Sequence, residues 1–186
     1  MEEDKKEVNL VIAGLSFSKT KIAEACKNER NTNLAVFLIA FSVLFDTVLA
    51  FINGNGGSSG FGRMGLTGVS AAIAEFGSAA IGTFLSAFIM VYVIRIFKVN
   101  ITYVESLRLY GAAIIWTILG AVFGLIPGVG MIGIAFWLAY NLSLMFGITG
   151  YTKIKIWQSL LTIILTFAAV FVVIILYGMV ISAIFG

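Results

Sequence analysis

Leu109–Thr152 reads LYGAAIIWTILGAVFGLIPGVGMIGIAFWLAYNLSLMFGITGYT, and not one side chain in it carries a charge. A helix needs ~20 mainly apolar residues to cross ~30 Å of hydrocarbon. The stretch is therefore about twice too long for one crossing and suits two. Its single interruption is Leu125-Ile126-Pro127-Gly128-Val129-Gly130. Proline lacks the N–H donor and clashes with the preceding turn, and glycine accepts positive φ. The sequence predicts a tight turn at Pro127 between two antiparallel helices, in preference to two half-helices meeting within the membrane.

Working outward, three more apolar blocks flank this pair, so the candidate spans are 34–52, 66–94, 109–126, 129–149 and 156–185. The chain is 60% hydrophobic and 11% charged, against ~25% charged in soluble folds. Lipid offers no hydrogen bonds to the backbone, so spans must be helices or a closed barrel. The blocks lack the period-two alternation of barrel strands. The expected fold is an all-α integral membrane protein with five transmembrane helices.

The net charge of +3 would suggest nucleic acid in a soluble protein, but here the bases sit beside hydrophobic ends, so no nucleic-acid partner is expected. With the N-terminus cytoplasmic, Lys5, Lys6, Lys19, Lys21, Lys27, Arg30, Arg95, Lys98, Arg108, Lys153 and Lys155 fall inside and only Arg63 outside. That is the positive-inside pattern in every loop, and it puts the C-terminus outside. Residues 1–33 form a cytoplasmic or interfacial segment ahead of a transmembrane domain at 34–186. In it Val8, Val11, Ile12 and Leu15 recur at helical spacing, and Ser18 is a candidate N-cap for a short polar helix from Lys19 to about Asn28. The sequence predicts a short interfacial N-terminal helix, in preference to a soluble helix folding back on the loops.

Few residues offer chemistry. There is no histidine, which removes the commonest general base and metal ligand. Cys26 is the only cysteine, without a catalytic partner among Lys27, Glu29 and Arg30. The Gly/Ser-rich loop Asn53–Gly62 has no Gly-Lys-Ser/Thr after it, so it is not a phosphate cradle. Gly56-Gly57-Ser58-Ser59-Gly60 in that loop has Gly-x-Ser-x-Gly spacing by composition, but no histidine exists to activate its serine, and His-Glu-x-x-His is absent. No enzyme, cofactor or metal is expected. The acidic start, Glu2-Glu3-Asp4, lacks the form of a signal peptide, so the mature chain is expected to begin at Met1.

Small residues mark packing faces. Ser70, Ala74, Ser78, Gly82 and Ser86 repeat every fourth position in the second span, with Ala71, Ala79, Thr83 and Ala87 beside them. Such residues let helix backbones approach in lipid, which makes the second span the expected central helix. Gly120, Gly124 and Gly128 repeat the pattern. Intramolecular packing is the simpler use of both ladders, and a homo-oligomer seam the alternative.

Two acids lie within spans. Asp46 and Glu75 both fall in the outer half, where an ionised acid should face the bundle or water and have a partner. Ser42, Asp46 and Asn53 share one helical face, and Arg63 is a potential partner of Glu75. Together they form a candidate polar or ion site, set against structural roles for both acids. On the inner side Arg95, Lys98, Glu105, Arg108, Lys153 and Lys155 form a candidate docking surface for a membrane or cytoplasmic protein partner, set against simple anchoring in the lipid bilayer. Trp157 suits the inner interface, whereas Trp116 and Trp137 fall well inside their spans.

The arrangement resembles the Yip1 domain family. The likeness is carried by Tyr103-Val104-Glu105-Ser106-Leu107-Arg108-Leu109-Tyr110, by Ile126-Pro127-Gly128-Val129-Gly130, and by Trp137 to Gly150 with Lys153 following. It extends over about residues 10–180. The family's eukaryotic branch is associated with Rab-type GTPases and vesicle traffic and carries an Asp-Leu-Tyr-Gly-Pro motif, which does not occur in this sequence. The chain looks like the compact prokaryotic type, which implies an inner-membrane protein, and no functional residue carries over. The expected function is a non-enzymatic membrane scaffold or adaptor for protein or lipid partners. The alternative is a small transporter or channel for a cation or polar solute.

Overall fold

A computed structural model describes residues 9–53, 68–126 and 132–185. Among these residues the secondary structure is helical throughout. Two short helices, α1 (Leu10–Leu15) and α2 (Lys19–Lys27), precede five helices long and apolar enough to cross a membrane. The first span is α3 (Asn31–Asn53). The second joins α4 (Gly68–Ala80) to α5 (Ser86–Arg95) through a π-helical turn at Ile81–Leu85. The third is α6 (Tyr103–Ala113) and α7 (Ile115–Gly124), the fourth α8 (Ile132–Thr152) and the fifth α9 (Ile156–Phe185). The turn at Pro127 and most of the Asn53–Gly62 loop lie outside the described residues.

The third span starts six residues earlier than hydropathy suggests, because its first turn is capped rather than merely apolar. Thr102 accepts from Glu105 N at 3.3 Å while Glu105 Oε2 accepts from Thr102 N at 2.6 Å. This reciprocal capping box satisfies two of the amides that a helix start leaves without partners.

The third span, not the second, is the central helix. Every residue from Ser106 to Ile114 is buried, and α6 packs against α1, α2, α3, α5 and α8. Gly111, Ala112 and Ala113 are what permit this. A Cβ on Gly111 would stand 2.5 Å from the Ala35 Cβ of the first span. The small face of the second span is also a packing face, with Ala71, Ala74 and Ser78 buried as α4 lies along α3. Gly77 of the same helix accommodates the Tyr177 hydroxyl of α9, which donates to the Ile73 carbonyl at 3.0 Å. Gly120 lies against Phe136 where α7 and α8 pack, while a Cβ on Gly124 would meet no described residue within 4 Å.

The N-terminal segment has a buried face that the sequence reading did not identify. Ser18 does cap α2, accepting from Lys21 N at 3.4 Å. However, α1 and α2 form a hairpin that buries Leu10, Ala13, Ile22, Ala25 and Cys26 against the third and fourth spans. A Cβ on Gly14 would be 1.9 Å from the Ala112 carbonyl oxygen, and one on Gly150 would be 2.2 Å from that of Lys19. The Gly14 carbonyl accepts from both Trp116 Nε1 and Ser143 Oγ, each at 3.1 Å. Ala112 and Ser143 each lie nine residues from the ends of their spans at Tyr103 and Thr152, ~14 Å along a helix. The hairpin thus reaches towards the middle of the bundle. Its opposite face leaves Ile12 and Leu15 exposed, and Val8 lies outside the described residues.

Five helix ends meet at one end of the bundle. Thr32, Phe97, Glu105, Tyr151 and Trp157 are tied there by Arg108–Thr32, Tyr151–Glu105 and Phe97–Trp157 contacts. Seven basic residues cluster around it, at Lys21, Lys27, Arg30, Arg95, Lys98, Lys153 and Lys155, all exposed. We call it the basic end.

Candidate functional site

The inward face of α3 carries Ala35, Ile39, Ser42, Val43, Asp46 and Ala50, all buried. On that face Asp46 retains 6% of its surface, and the exposed part faces an internal cavity of about 260 Å³. All five spans line it. Ser42 and Asp46 come from the first, Gly82, Thr83 and Ser86 from the π-turn and its exit in the second, and Tyr110 and Thr117 from the third. Tyr140 and Asn141 come from the fourth, and Phe167 and Phe171 from the fifth.

The π-turn builds one wall. A helix that adds a residue to a turn displaces its i→i−4 ladder, and such turns concentrate at functional sites. Here it brings Gly82, Thr83 and Ser86 to one cavity, with the Ser86 hydroxyl donating back to the Gly82 carbonyl. Asp46 accepts no hydrogen bond from a described residue, whereas Asn141 Nδ2 is already committed to the Trp137 carbonyl at 2.8 Å. Glu75, fully buried on α4, lies within electrostatic reach of Asp46 but does not line the cavity. Among the described residues no three His, Cys, Asp or Glu side chains gather as metal ligands.

Of the expected polar site, then, the structure brings Ser42 and Asp46 to one cavity and buries Glu75 on the adjacent helix. Arg63 and the Asn53 side chain lie outside the described residues. Tyr110, Thr117, Tyr140 and Asn141 were missed. Their signal was present, since Tyr110 and Thr117 stand two turns apart on one helical face, and Trp137 and Asn141 one turn apart.

The expected basic surface divides. Arg95, Lys98, Lys153 and Lys155 are exposed. Arg108 is not part of that surface. It is 7% exposed and points into the bundle, with Nε donating to Thr32 Oγ1 at 2.8 Å and Nη1 to the Cys26 carbonyl at 2.9 Å. A guanidinium keeps its charge, so once buried it requires such fixed acceptors. Glu105 likewise is spent on its capping box and on the Tyr151 hydroxyl that donates to it. Cys26 is buried beneath this layer, and burial pushes its thiol up from 9.0 to about 12 despite nearby Arg108.

A family model for the Yip1 domain matches residues 13–178. The chain belongs to the Yip1 domain family. It is a multi-pass membrane protein by that membership and by its five spans. The Yip1 match starts within α1 and ends within α9, so the docked hairpin belongs to the domain rather than preceding it. Comparison with curated proteins and with solved structures gave no match.

Proposed function

We propose that this Yip1-domain protein is a non-enzymatic scaffold of the cell membrane whose basic end, on the cytoplasmic side, engages acidic protein or lipid partners. One observation carries the reading. The turns between the second and third spans and between the fourth and fifth hold Lys98 at φ 62° and Lys153 at φ 63°. Glycine is the usual occupant of such a left-handed position after a helix, and a side chain there is strained. Both turns nevertheless carry an exposed lysine.

The patch these lysines occupy has a fixed shape. Phe97 meets Trp157 edge-on at 6.1 Å, which joins the two turns. Thr149 and Ser159 hydrogen-bond at 2.8 Å across the second of them. Lys153 N donates to the Thr149 carbonyl at 3.0 Å, completing a left-handed helix end. Cations near helix C-termini are favoured by the macrodipole, but a dipole alone does not call for a strained residue. A rigid cluster of exposed bases attracts anionic surfaces.

Photo-crosslinking groups placed at Ile96 and Ile156, exposed beside these lysines, test the reading in native membranes. Discrete protein or anionic-lipid adducts are expected, and they should vanish in K98E/K153E/K155E while thermal stability holds. Unchanged adducts in that variant, or none in the parent, would sink the proposal.

A further inference from the structure

We propose that the cavity at Asp46 is a binding site for a cationic amphiphile, an organic ammonium bearing an alkyl chain, that enters from the lipid between the fourth and fifth spans. This goes beyond the scaffold reading and does not depend on it.

A second space of about 520 Å³ lies between α8 and α9, and Trp137, Asn141, Ile163, Phe167 and Phe171 line both it and the Asp46 cavity. The two spaces adjoin at these side chains, the one at Asp46 polar and the other almost wholly apolar. The apolar part extends from Trp137 to Met145 on α8 and from Leu160 to Phe171 on α9, ~12 to 17 Å along the helices. Leu138, Leu142, Leu160 and Ile164 in it are exposed, so it opens to the surrounding lipid. Towards the basic end the Thr149–Ser159 hydrogen bond closes the seam. An alkyl chain matches both its shape and its chemistry.

The polar end selects a cation. Asp46 is more than nine-tenths buried, faces the cavity, and receives no hydrogen bond from a described residue. A second buried acid, Glu75, is within electrostatic reach, and no described Lys or Arg lines the cavity to hold an anionic headgroup. A hard metal ion would need six or more oxygen ligands, and the cavity instead sets Tyr110, Trp137, Tyr140 and Phe167 around one carboxyl group. Aromatic rings grouped with a carboxylate are how organic ammonium groups are recognised. Asp46 lies seven residues from the end of α3 at Asn53, ~10 Å along the helix. A head at that depth has left most of its water behind, and a quaternary ammonium, with no N–H to satisfy, bears this better than a primary one.

The test uses the full chain in nanodiscs of phosphatidylglycerol, which contains no ammonium group. Decyltrimethylammonium is titrated against decanol, which has a similar chain without the charge, and tetramethylammonium, which has the head without the chain. Binding to the folded state alone raises the melting temperature. Decyltrimethylammonium should raise it and quench or shift tryptophan emission through Trp137, and the other two should do neither at equal concentration. Asp46→Asn should weaken the effect about tenfold or more. Ala168→Trp fills the apolar groove and leaves Asp46 intact, so it should abolish the effect even if Asp46→Asn fails to fold. Equal shifts from decanol would overturn recognition of the head, and equal shifts from tetramethylammonium would overturn the role of the chain. Full binding by folded Asp46→Asn, or by Ala168→Trp, would overturn the site.

Discussion

Arg108 Nη1 donates to the Cys26 carbonyl at 2.9 Å, joining residues 82 positions apart. Its Nε reaches Thr32 Oγ1 at the same time. One charged side chain of the central span thus holds both the end of α2 and the start of the first span. The charge tolerates burial because Nε and Nη1 each donate to an oxygen at a helix end and Glu105 lies within electrostatic reach.

Arg108→Met removes two charge-assisted hydrogen bonds, each worth about 1.5–3 kcal/mol, and leaves the Cys26 carbonyl unsatisfied. The variant should melt well below the parent in detergent. Trypsin should also cleave faster after Lys21 and Lys27, whose side chains are exposed but whose backbone the docked hairpin holds in a helix. Arg108→Lys should restore only part of the loss, because an ammonium cannot reproduce the guanidinium fork. Equal protection in Arg108→Met would show that the hairpin is held by its apolar face alone.

Glycine substitutions separate rigid from yielding contacts. A Cβ on Gly14 would meet the Ala112 backbone at 1.9 Å, whereas one on Gly77 would meet the Tyr177 hydroxyl at the same 1.9 Å. A backbone cannot move aside, but a phenol can swing away and forfeit its bond to the Ile73 carbonyl. Gly14→Ala should therefore cost about 1–3 kcal/mol from overpacking and displace the hairpin. Gly77→Ala should cost about one hydrogen bond, 0.5–1.5 kcal/mol. Chemical denaturation of the two variants in one detergent decides the order.

The spans were legible because hydrocarbon thickness and backbone satisfaction leave a long apolar run few alternatives. The central position of the third span was not, since Arg108 and Glu105 read as the charged border of a span and turn out to be its first two helical turns. A buried arginine reveals itself only through acceptors at Cys26 and Thr32, which sequence distance conceals. The hairpin was half legible. Ser18 announced α2, but the partners of Gly14 and Gly150 lie on other helices. Asp46 and Ser42 were found by periodicity, while the π-turn that brings Gly82 and Thr83 to the same cavity has no sequence signature.

Cys26 provides a pH-dependent reporter of the docked hairpin. The reactive species is the thiolate, and burial pushes its pKa from 9.0 to about 12 in the folded protein. Maleimide labelling at pH 7–8 should therefore be slow until the protein unfolds, and faster in Arg108→Met. The folded pKa lies above the unfolded one, so this group's contribution to stability is fully present below pH 9 and falls as pH rises from 9 towards 12. Cys26→Ala should flatten that alkaline decline. Rapid labelling of native protein at pH 7.5 would contradict the buried placement.

Lys98 and Lys153 bring backbone strain and charge to the same positions. Each sits at a left-handed φ, which costs a residue with a Cβ roughly 1–2 kcal/mol. Replacing either by glycine relieves that strain but enlarges the entropy of the unfolded chain, so the net gain should be about 0.5–1 kcal/mol per site. The sites lie on different turns, so the double variant should gain nearly the sum. If the lysines serve partner binding, Lys98→Gly/Lys153→Gly will be more stable than the parent yet capture less of any acidic partner or anionic lipid. Thermal unfolding and lipid-overlay binding of the same preparation measure both. Should the double variant be more stable and bind equally well, the basic turns would be neutral features of the basic end.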